Sequence, residues 1–198
     1  KRCAAIPIAA GMAVRLGGTK AMADCPPLKA LGRRIVIFGP SNAGKSTLAE
    51  ALSRKLDIPA IHLDQLHHLP DTDWVPRPQA EFHALQRAAI ARDAWVMDGN
   101  YSALVDERLA RATGAIVLDA NHWLRLLRYL NRTLFQRYRP GALQGGRDSI
   151  KWSMIHWVAL ASRHHGARYR AMVDGTGLPH AFCGSMTELK ALYRHWDL

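Results

Sequence analysis

The chain has 198 residues, of which 48% are hydrophobic, and its formal net charge at pH 7 is +11. That length suits one α/β domain with a full core, and no apolar run approaches the roughly 20 residues of a membrane span. The basic balance indicates an anionic ligand or partner, such as phosphates, nucleic acid or a membrane surface, or else solubility alone. The cysteines, Cys3, Cys25 and Cys183, have neither metal-site spacing nor a disulfide pattern, which favours a reducing compartment.

The N-terminal segment, residues 1–32, contains small residues with glycine and proline and shows no periodicity. We interpret it as a loose or non-native extension, with the domain proper spanning residues 33–198. Its start, Lys1-Arg2 followed by an apolar run, weakly resembles a secretory signal. Residues 39–47 fit the phosphate-binding motif G-x-x-x-x-G-K-[ST], and a protein that uses ATP suits the cytoplasm. A cytoplasmic location is therefore expected instead, with Met12 and Met22 as candidate natural starts.

A phosphate-binding loop follows the first predicted strand, the β-branched apolar run at 34–38. The sequence fits G-x-x-x-x-G-K-[ST] at every fixed position, and the loop consists of Gly39, Pro40, Ser41, Asn42, Ala43, Gly44, Lys45, Ser46 and Thr47. Its glycines let the backbone curl, so that successive N–H groups point at a nucleotide's β-phosphate. In this motif Lys45 reaches the β- and γ-phosphates and the Ser46 hydroxyl binds Mg²⁺, so ATP and Mg²⁺ are the expected ligands.

A helix over 45–56 follows, because Leu48, Leu52 and Leu56 recur every four residues on one face. Its N-terminus adds the positive end of a helix dipole to the phosphate site. The next predicted strand, 60–64, ends in Asp64. That carboxylate is expected to orient or deprotonate an acceptor hydroxyl or to hold a Mg²⁺-bound water, and the alternative is that it caps a helix or loop.

Three histidines lie close to Asp64 in the sequence, at the start of a loop over 65–77 that is rich in Pro, His and Asp. They are His62, His67 and His68. Their spacing fits no metal template, so we interpret them as loop or substrate-pocket residues.

A predicted helix at 78–92 leads into a third strand, 94–98, which again ends in a carboxylate, Asp98. P-loop proteins hold Mg²⁺ with the loop Ser or Thr and a strand-end Asp, so Asp98 is the candidate partner of Ser46 at the metal. The alternative is an ordinary turn aspartate before Gly99. Because it lies at the ligand-binding edge of the sheet, this carboxylate is expected to make few packing contacts, so that its substitution would affect turnover more than stability.

A short helix, 102–111, precedes the fourth predicted strand, 114–119. The strand's terminal residue is Asp119. It precedes the start of a long basic helix, so capping is favoured over chemistry.

The basic helix, about 121–138, and the Gly-rich loop after it form a candidate lid region at about 121–147. Helical spacing puts its arginines on one face, and they are Arg125, Arg128, Arg132 and Arg139. Guanidinium groups bind phosphate oxygens bidentately, so this stripe predicts a lid that clamps transferring phosphates, with Arg128 and Arg132 nearest to them. The alternative is a solvated basic surface.

The remaining elements are a helix at about 148–170, a fifth strand at 180–183, and a last helix opened by the capping box of Ser185 and Glu188. Strands that alternate with helices predict an α/β fold with a parallel sheet and right-handed crossovers. Ligands bind at the carboxyl ends of the strands in such sheets, where the three terminal carboxylates meet the P-loop.

The assembled segments resemble a known family. The loop at 38–49 is similar to that of adenylate-kinase-like small kinases. Together with 117–119 and the arginine helix, two further segments resemble the DNA topology modulation proteins, which are related to adenylate and shikimate kinases; these are Ile58-Pro59-Ala60-Ile61-His62-Leu63-Asp64 and Trp95-Val96-Met97-Asp98-Gly99-Asn100-Tyr101. The resemblance covers residue 33 to the end of the chain.

The resemblance implies a P-loop NTPase fold of nucleotide-kinase type, with about five parallel strands flanked by helices and an Arg-rich helical lid. It also implies ATP binding and phosphotransferase activity. Asp98 matches the aspartate of the nucleotide kinases' D-G-F-P-R motif. Asn100-Tyr101-Ser102 replace the Phe-Pro-Arg of that motif, whose arginine helps to hold a nucleotide acceptor. The acceptor therefore stays open.

Two functions are compatible with these residues. The first is a kinase that moves the γ-phosphate of ATP to a small-molecule or nucleotide acceptor, and its candidate catalytic residues are Lys45, Asp64, Asp98, Arg128 and Arg132. The second is a regulatory ATP-binding protein or ATPase that contacts nucleic acid through its basic half, although no nucleic-acid-binding motif is present. A kinase needs one acid near the acceptor and another at Mg²⁺, whereas an electrostatic binder needs neither, so Asp64 and Asp98 favour the kinase.

Overall fold

A computed structural model of the chain describes residues 25–119 and 165–198. Within them, five parallel strands form a single sheet in the order β2-β3-β1-β4-β5. The strands are β1 (Arg34–Phe38), β2 (Ala60–His62), β3 (Trp95–Asp98), β4 (Gly114–Leu118) and β5 (His180–Cys183). The helices are α1 (Lys45–Leu56), α2 (Leu63–His67), α3 (Gln79–Ile90), α4 (Val105–Arg111), α5 (His165–Asp174) and α6 (Met186–His195). The expected α/β fold is confirmed.

The central strand, β1, divides the interior into two cores, because successive side chains of a strand point to opposite faces. Ile35 and Ile37 pack on one side with residues of α1 and α6, including Leu52 and Leu189. Val36 and Phe38 pack on the other side with residues of α3 and α5, including Ile90 and Val173. Helices thus cover both faces of the sheet, and its carboxyl edge stays available for a site.

The second strand is shorter than its sequence predicts. It ends at His62, and Leu63 begins α2, so Asp64 lies in the first turn of a helix instead of at a strand end. Ile61 and Leu63 are both buried in the same core, so the alternation that predicts a strand continues into the first helical residue. The predicted loop at 65–77 also contains the rest of α2, after which an antiparallel bridge joins His68 to Pro76.

Residues 25–32, which the sequence assigns to a loose arm, pack on the domain. Residues 28–31 form a 3-10 turn, and Leu31 is completely buried. The Trp196 indole Nε1 donates a hydrogen bond to the carbonyl oxygen of Pro26 at 3.0 Å. The loose-arm expectation therefore does not hold here, and residues 1–24 lie outside the described part of the chain.

The other boundaries shift by a few residues. Helix α4 begins at Val105 instead of residue 102, and α5 continues to Asp174, beyond the expected end at 170. The cap of α6 is confirmed, since the Ser185 hydroxyl accepts a hydrogen bond from the Glu188 amide at 3.2 Å. The predicted lid at 121–147 lies outside the described residues. In the described ranges, no helix has the length and apolarity needed to cross a membrane.

Candidate active site

The glycine loop between β1 and α1 is shaped by three positive backbone φ angles, 144° at Gly39, 63° at Asn42 and 99° at Gly44. A Cβ atom on Gly39 would overlap the carbonyl oxygen of Leu118 on the neighbouring strand. Glycine at position 39 therefore provides both the backbone conformation and the room that the loop needs. The loop leads directly into α1, which begins at Lys45.

The Lys45 ammonium folds back over the loop that carries it. Its Nζ donates hydrogen bonds to the carbonyl oxygens of Gly39, at 2.8 Å, and Pro40, at 3.1 Å. These contacts hold the cation at the mouth of the loop, where a P-loop lysine meets phosphate oxygens.

Asp98 lies at the centre of a hydrogen-bonded chain that joins α1, β2 and β3. The Ser46 hydroxyl donates to its Oδ2 at 2.7 Å, and the His62 Nδ1 lies 2.5 Å from its Oδ1. The other ring nitrogen of His62, Nε2, lies 3.0 Å from the Glu50 carboxylate. Asp98 and His62 are both buried, at 4% and 6% exposure.

The protonation state of His62 follows from these neighbours. Burial alone would lower the pKa of its imidazole, but the hydrogen bonds and negative charges of Asp98 and then Glu50 outweigh it and raise the pKa to about 9. At neutral pH the ring is therefore an imidazolium that donates to both carboxylates. It fixes the orientation of the Asp98 carboxylate, so that Oδ2 faces Ser46.

A side-chain clasp holds the loop after β3 against the P-loop. The Asn100 Oδ1 accepts a hydrogen bond from the Gly39 amide at 3.2 Å, and its Nδ2 donates to the Gly39 carbonyl at 2.6 Å. Both backbone groups of one glycine are thus bound by one amide side chain. This clasp brings the residues after Asp98 to the edge of the phosphate-binding loop.

Asp64 is exposed and is oriented by an aromatic neighbour. The Tyr101 hydroxyl donates to its Oδ1 at 2.8 Å. Burial first, and then the charge and hydrogen bond of Asp64, raise the pKa of Tyr101, so its hydroxyl remains a donor at all ordinary pH values. The Tyr101 ring packs against His67 and Phe82, with ring centroids 4.7 Å and 5.2 Å away. Asp64 therefore has one oriented oxygen and access to solvent.

A cavity of about 500 Å³ opens beside these groups. The P-loop contributes Ser41 and Lys45 to its lining, and Asp64 and Tyr101 lie on the wall as well. The remaining lining residues come from the end of β1, the loop after β3, α4 and α5, and they are Phe38, Gly99, Asn100, Ser102, Val105, Arg108, Arg168, Tyr169 and Met172. The size is that of a pocket for a small molecule.

The residues at the loop fit a magnesium ion by their chemistry. The Ser46 hydroxyl and the Asp98 carboxylate supply two hard oxygen atoms side by side. Mg²⁺ is commonly bound by one or two protein oxygens, with phosphate oxygens and waters completing its octahedron. The described residues contain no cluster of three or more His, Cys, Asp or Glu that could hold a metal by itself, and a Mg²⁺-nucleotide site needs none.

The structure brings some of the predicted site residues together and leaves others apart. Lys45 and Asp64 line one cavity, and Ser46 contacts Asp98 beside it. Asp119 lies away from the lining, with its side chain against Gly166 of α5. The lid arginines Arg128 and Arg132 lie outside the described residues.

The sequence analysis does not predict the roles of four residues at the site. They are His62 as a partner of Asp98, Asn100 as the clasp, Tyr101 beside Asp64, and Arg108 in the cavity wall. Only Arg108 leaves a sequence signal. It shares helical spacing with Val105, Leu109 and Ala112, so an arginine stands on an apolar helix face.

Comparisons by sequence find no relative of this chain, whereas comparison of structures finds similar folds. No family model matches the chain, and no curated protein matches it by sequence. The chain is similar to a "putative kinase" from Chloroflexus aurantiacus, at 17% identity and a TM-score of 0.50, over 81% of this chain and 94% of that one. It also aligns with shikimate kinase from Bacteroides thetaiotaomicron, at 19% identity and a TM-score of 0.48, over 84% and 99%.

The likeness to the Chloroflexus protein bears on the fold alone, and with the five-stranded parallel sheet and the glycine loop it shows an α/β fold of the P-loop type. The narrower resemblance to DNA topology modulation proteins is not confirmed.

Proposed function

We propose that the chain is a phosphotransferase that moves the γ-phosphate of ATP to a hydroxyl-bearing acceptor. One observation carries the proposal: Lys45 of the glycine loop and Asp64 line the same cavity of about 500 Å³. A phosphate-binding group and an exposed carboxylate that share one pocket suit an in-line transfer between two bound substrates.

The glycine loop would bind ATP, the phosphoryl donor. Its amides and the Lys45 ammonium would bind the β- and γ-phosphates, with Lys45 exchanging the Gly39 and Pro40 carbonyls for phosphate oxygens. Ser46 and Asp98 would hold Mg²⁺, which neutralises phosphate charge when it is bound. His62 and the Ser46 hydroxyl keep the Asp98 carboxylate in place.

Asp64 and Tyr101 would act on the acceptor hydroxyl. During transfer the bond between the γ-phosphorus and the bridging oxygen of ADP breaks, a bond to the acceptor oxygen forms, and the acceptor hydroxyl loses its proton. Asp64 would accept that proton, and the Tyr101 hydroxyl would hold the carboxylate in position. Arg128 and Arg132 would clamp the transferring group from the lid. We place the reaction in the cytoplasm, where ATP is available.

The proposal is tested by calorimetric titration of ATP with Mg²⁺ into the wild type and Lys45→Ala. Loss of a charge-assisted hydrogen bond is expected to weaken binding about tenfold to a hundredfold, with the melting temperature close to the wild-type value. Lys55→Ala is the matched control, since Lys55 lies at the other end of α1 and pairs with Asp197.

Wild-type ATP affinity and turnover in Lys45→Ala would contradict the assignment. The regulatory function on nucleic acid predicts a different pattern, in which ATP binds but no acceptor stimulates ADP release. Salt-dependent DNA binding would then be lost with the lid arginines.

A further inference from the structure

The wall of the cavity contains a buried cation whose hydrogen bonds are largely unmade. Arg108 in α4 is 1% exposed. Its Nη2 donates to the carbonyl oxygen of Tyr101 at 3.1 Å, whereas Nε and Nη1 have no partner among the described residues. A guanidinium carries five N–H donors, and buried donors in folded proteins are nearly always satisfied. A buried arginine with unpartnered N–H groups on a cavity wall is typical of a residue that donates hydrogen bonds to a ligand.

The charge of Arg108 is also without an ionic partner in the described ranges. None of the ion pairs found there involves it. Its guanidinium carbon lies 5.2 Å from the centroid of the Phe38 ring, and the Tyr169 ring stacks with Phe38 at 5.3 Å. Burial lowers the pKa of Arg108 to about 10, which still leaves the group charged at neutral pH.

The described part of the cavity lining has the same electrostatic character. Among the described residues it contains three cationic side chains, Lys45, Arg108 and Arg168, and one carboxylate, Asp64. Lys45 belongs to the phosphate-binding loop, whereas the two arginines come from α4 and α5. Two cations therefore remain for a ligand other than the phosphates of the nucleotide.

We propose that Arg108 is the anion-binding residue of the acceptor site, and that the acceptor is a small molecule with a carboxylate or phosphate group as well as a free hydroxyl. This inference rests on the proposed function. The guanidinium would bind the anionic group with Nε or Nη1 together with the second N–H of Nη2, because such parallel pairs of N–H groups match carboxylate and phosphate oxygens. Arg168 would add charge from the exposed side. The hydroxyl of the same molecule would then face Asp64.

The test measures anion binding when the P-loop is already filled. AMP-PNP with Mg²⁺ is added to saturation, and inorganic phosphate or malonate is then titrated by calorimetry. The two probes distinguish a phosphate-bearing from a carboxylate-bearing acceptor. Wild-type protein is expected to bind at least one of them.

Arg108→Met removes the charge but keeps an apolar side chain that can pack on Phe38. Because it removes one partner of a buried charge pair, this substitution is expected to lower the affinity for the probe by about 30-fold or more. The melting temperature of Arg108→Met should equal or exceed that of the wild type, because the substitution removes an uncompensated buried charge. A purely structural arginine would instead lower the melting temperature and leave anion binding unchanged.

Two further variants keep the test decisive. Arg111→Met is the matched control on the exposed side of the same helix and should bind the probes like the wild type. Arg108→Lys keeps the charge without the fork and is expected to bind about three- to tenfold more weakly, which decides the matter if Arg108→Met does not fold.

The possible failures are separable. If AMP-PNP itself does not bind, the proposed function is wrong and this inference falls with it. If AMP-PNP binds but neither probe binds to the wild type, or both Arg108 variants retain wild-type probe affinity, this inference alone is overturned.

Discussion

Asp98 shows how much a single position depends on contacts that the sequence does not display. The sequence suggests a rim carboxylate with little packing to lose, and this expectation is wrong. The residue is 4% exposed and binds the Ser46 hydroxyl with one oxygen and the His62 ring with the other. Its carboxylate thus balances a buried imidazolium in addition to facing the phosphate site, so it contributes to stability as well as to the proposed chemistry.

We predict that Asp98→Asn lowers both activity and stability. The kcat for phosphoryl transfer should fall about a hundredfold, because a preorganised charge at the phosphates is lost. The free energy of unfolding should fall by about 2–3 kcal/mol, since the buried His62 ring loses its first counter-ion. For a chain of this length that corresponds to a melting temperature about 4–12 °C lower.

Steady-state kinetics and thermal unfolding of the same preparation measure both effects. Asp93→Asn, at an exposed position on the opposite end of β3, is the control and should leave both values near those of the wild type. An unchanged melting temperature in Asp98→Asn would show that the contact with His62 adds nothing to stability. Unchanged turnover would assign the metal to another acid, with Asp64 first in line.

Residues such as His62 and Tyr101 mark the limit of what the sequence predicts about this site. The motif spacing identifies Lys45 and Ser46, because the P-loop is a local structure whose chemistry is fixed over a few consecutive residues. His62 acquires its role from a carboxylate 36 positions away along the chain. Tyr101 and Asp64 are likewise joined across 37 positions. Such pairs depend on how strands are ordered, which no local pattern encodes.

At the scale of elements, the unit from β1 through the loop to α1 is the part best predicted from sequence. The bounds of Arg34–Phe38 and Lys45–Leu56 agree with the prediction because apolar runs, glycines and a regular leucine spacing all give the same answer. Helix α2 is missed entirely, because the burial of Leu63 continues the pattern of a strand and the residues after Asp64 are assigned to a loop. The type of the longer elements is thus well predicted, whereas a short helix and several boundaries are missed where core packing crosses them.

The junction between β1 and the P-loop gives a prediction for glycine. Gly39→Ala should destabilise the fold by about 2 kcal/mol or more beyond Gly177→Ala, because both residues have positive φ but only the new methyl at 39 would overlap backbone, at Leu118. A methyl at Gly177 meets nothing within 4 Å. The difference combines this overlap with the greater cost of φ at 144°, a region that L-residues adopt far less readily than the left-handed φ of 69° at Gly177.

Urea unfolding of the two variants measures this difference. ATP affinity should also fall in Gly39→Ala, since the same glycine is held by Asn100 at the edge of the loop. Equal losses of stability in the two variants would show that the loop can shift away from β4 without cost.

At the scale of the whole molecule, the strand order explains why the site forms. The central position of β1, between β3 and β4, puts the glycine loop next to the carboxyl end of β3, where Asp98 lies. Since β2 pairs with β3 in parallel, His62 stands directly opposite Asp98. Sequence alternation predicts the parallel sheet, but the order of its strands is decided by tertiary packing. The sheet thereby assembles a donor site and a neighbouring cavity from segments far apart in the chain.

We propose that these two sites act together to transfer a phosphoryl group. The most direct test incubates the protein with Mg²⁺ and γ-labelled ATP alongside hydroxyl compounds that carry a carboxylate, a phosphate or no charge. We predict that label appears covalently on an anionic acceptor, that ADP forms in equal amount, and that Lys45→Ala abolishes both. Label that stays on ATP, or is released only as inorganic phosphate whichever acceptor is present, would show that the protein is not a phosphotransferase for such acceptors.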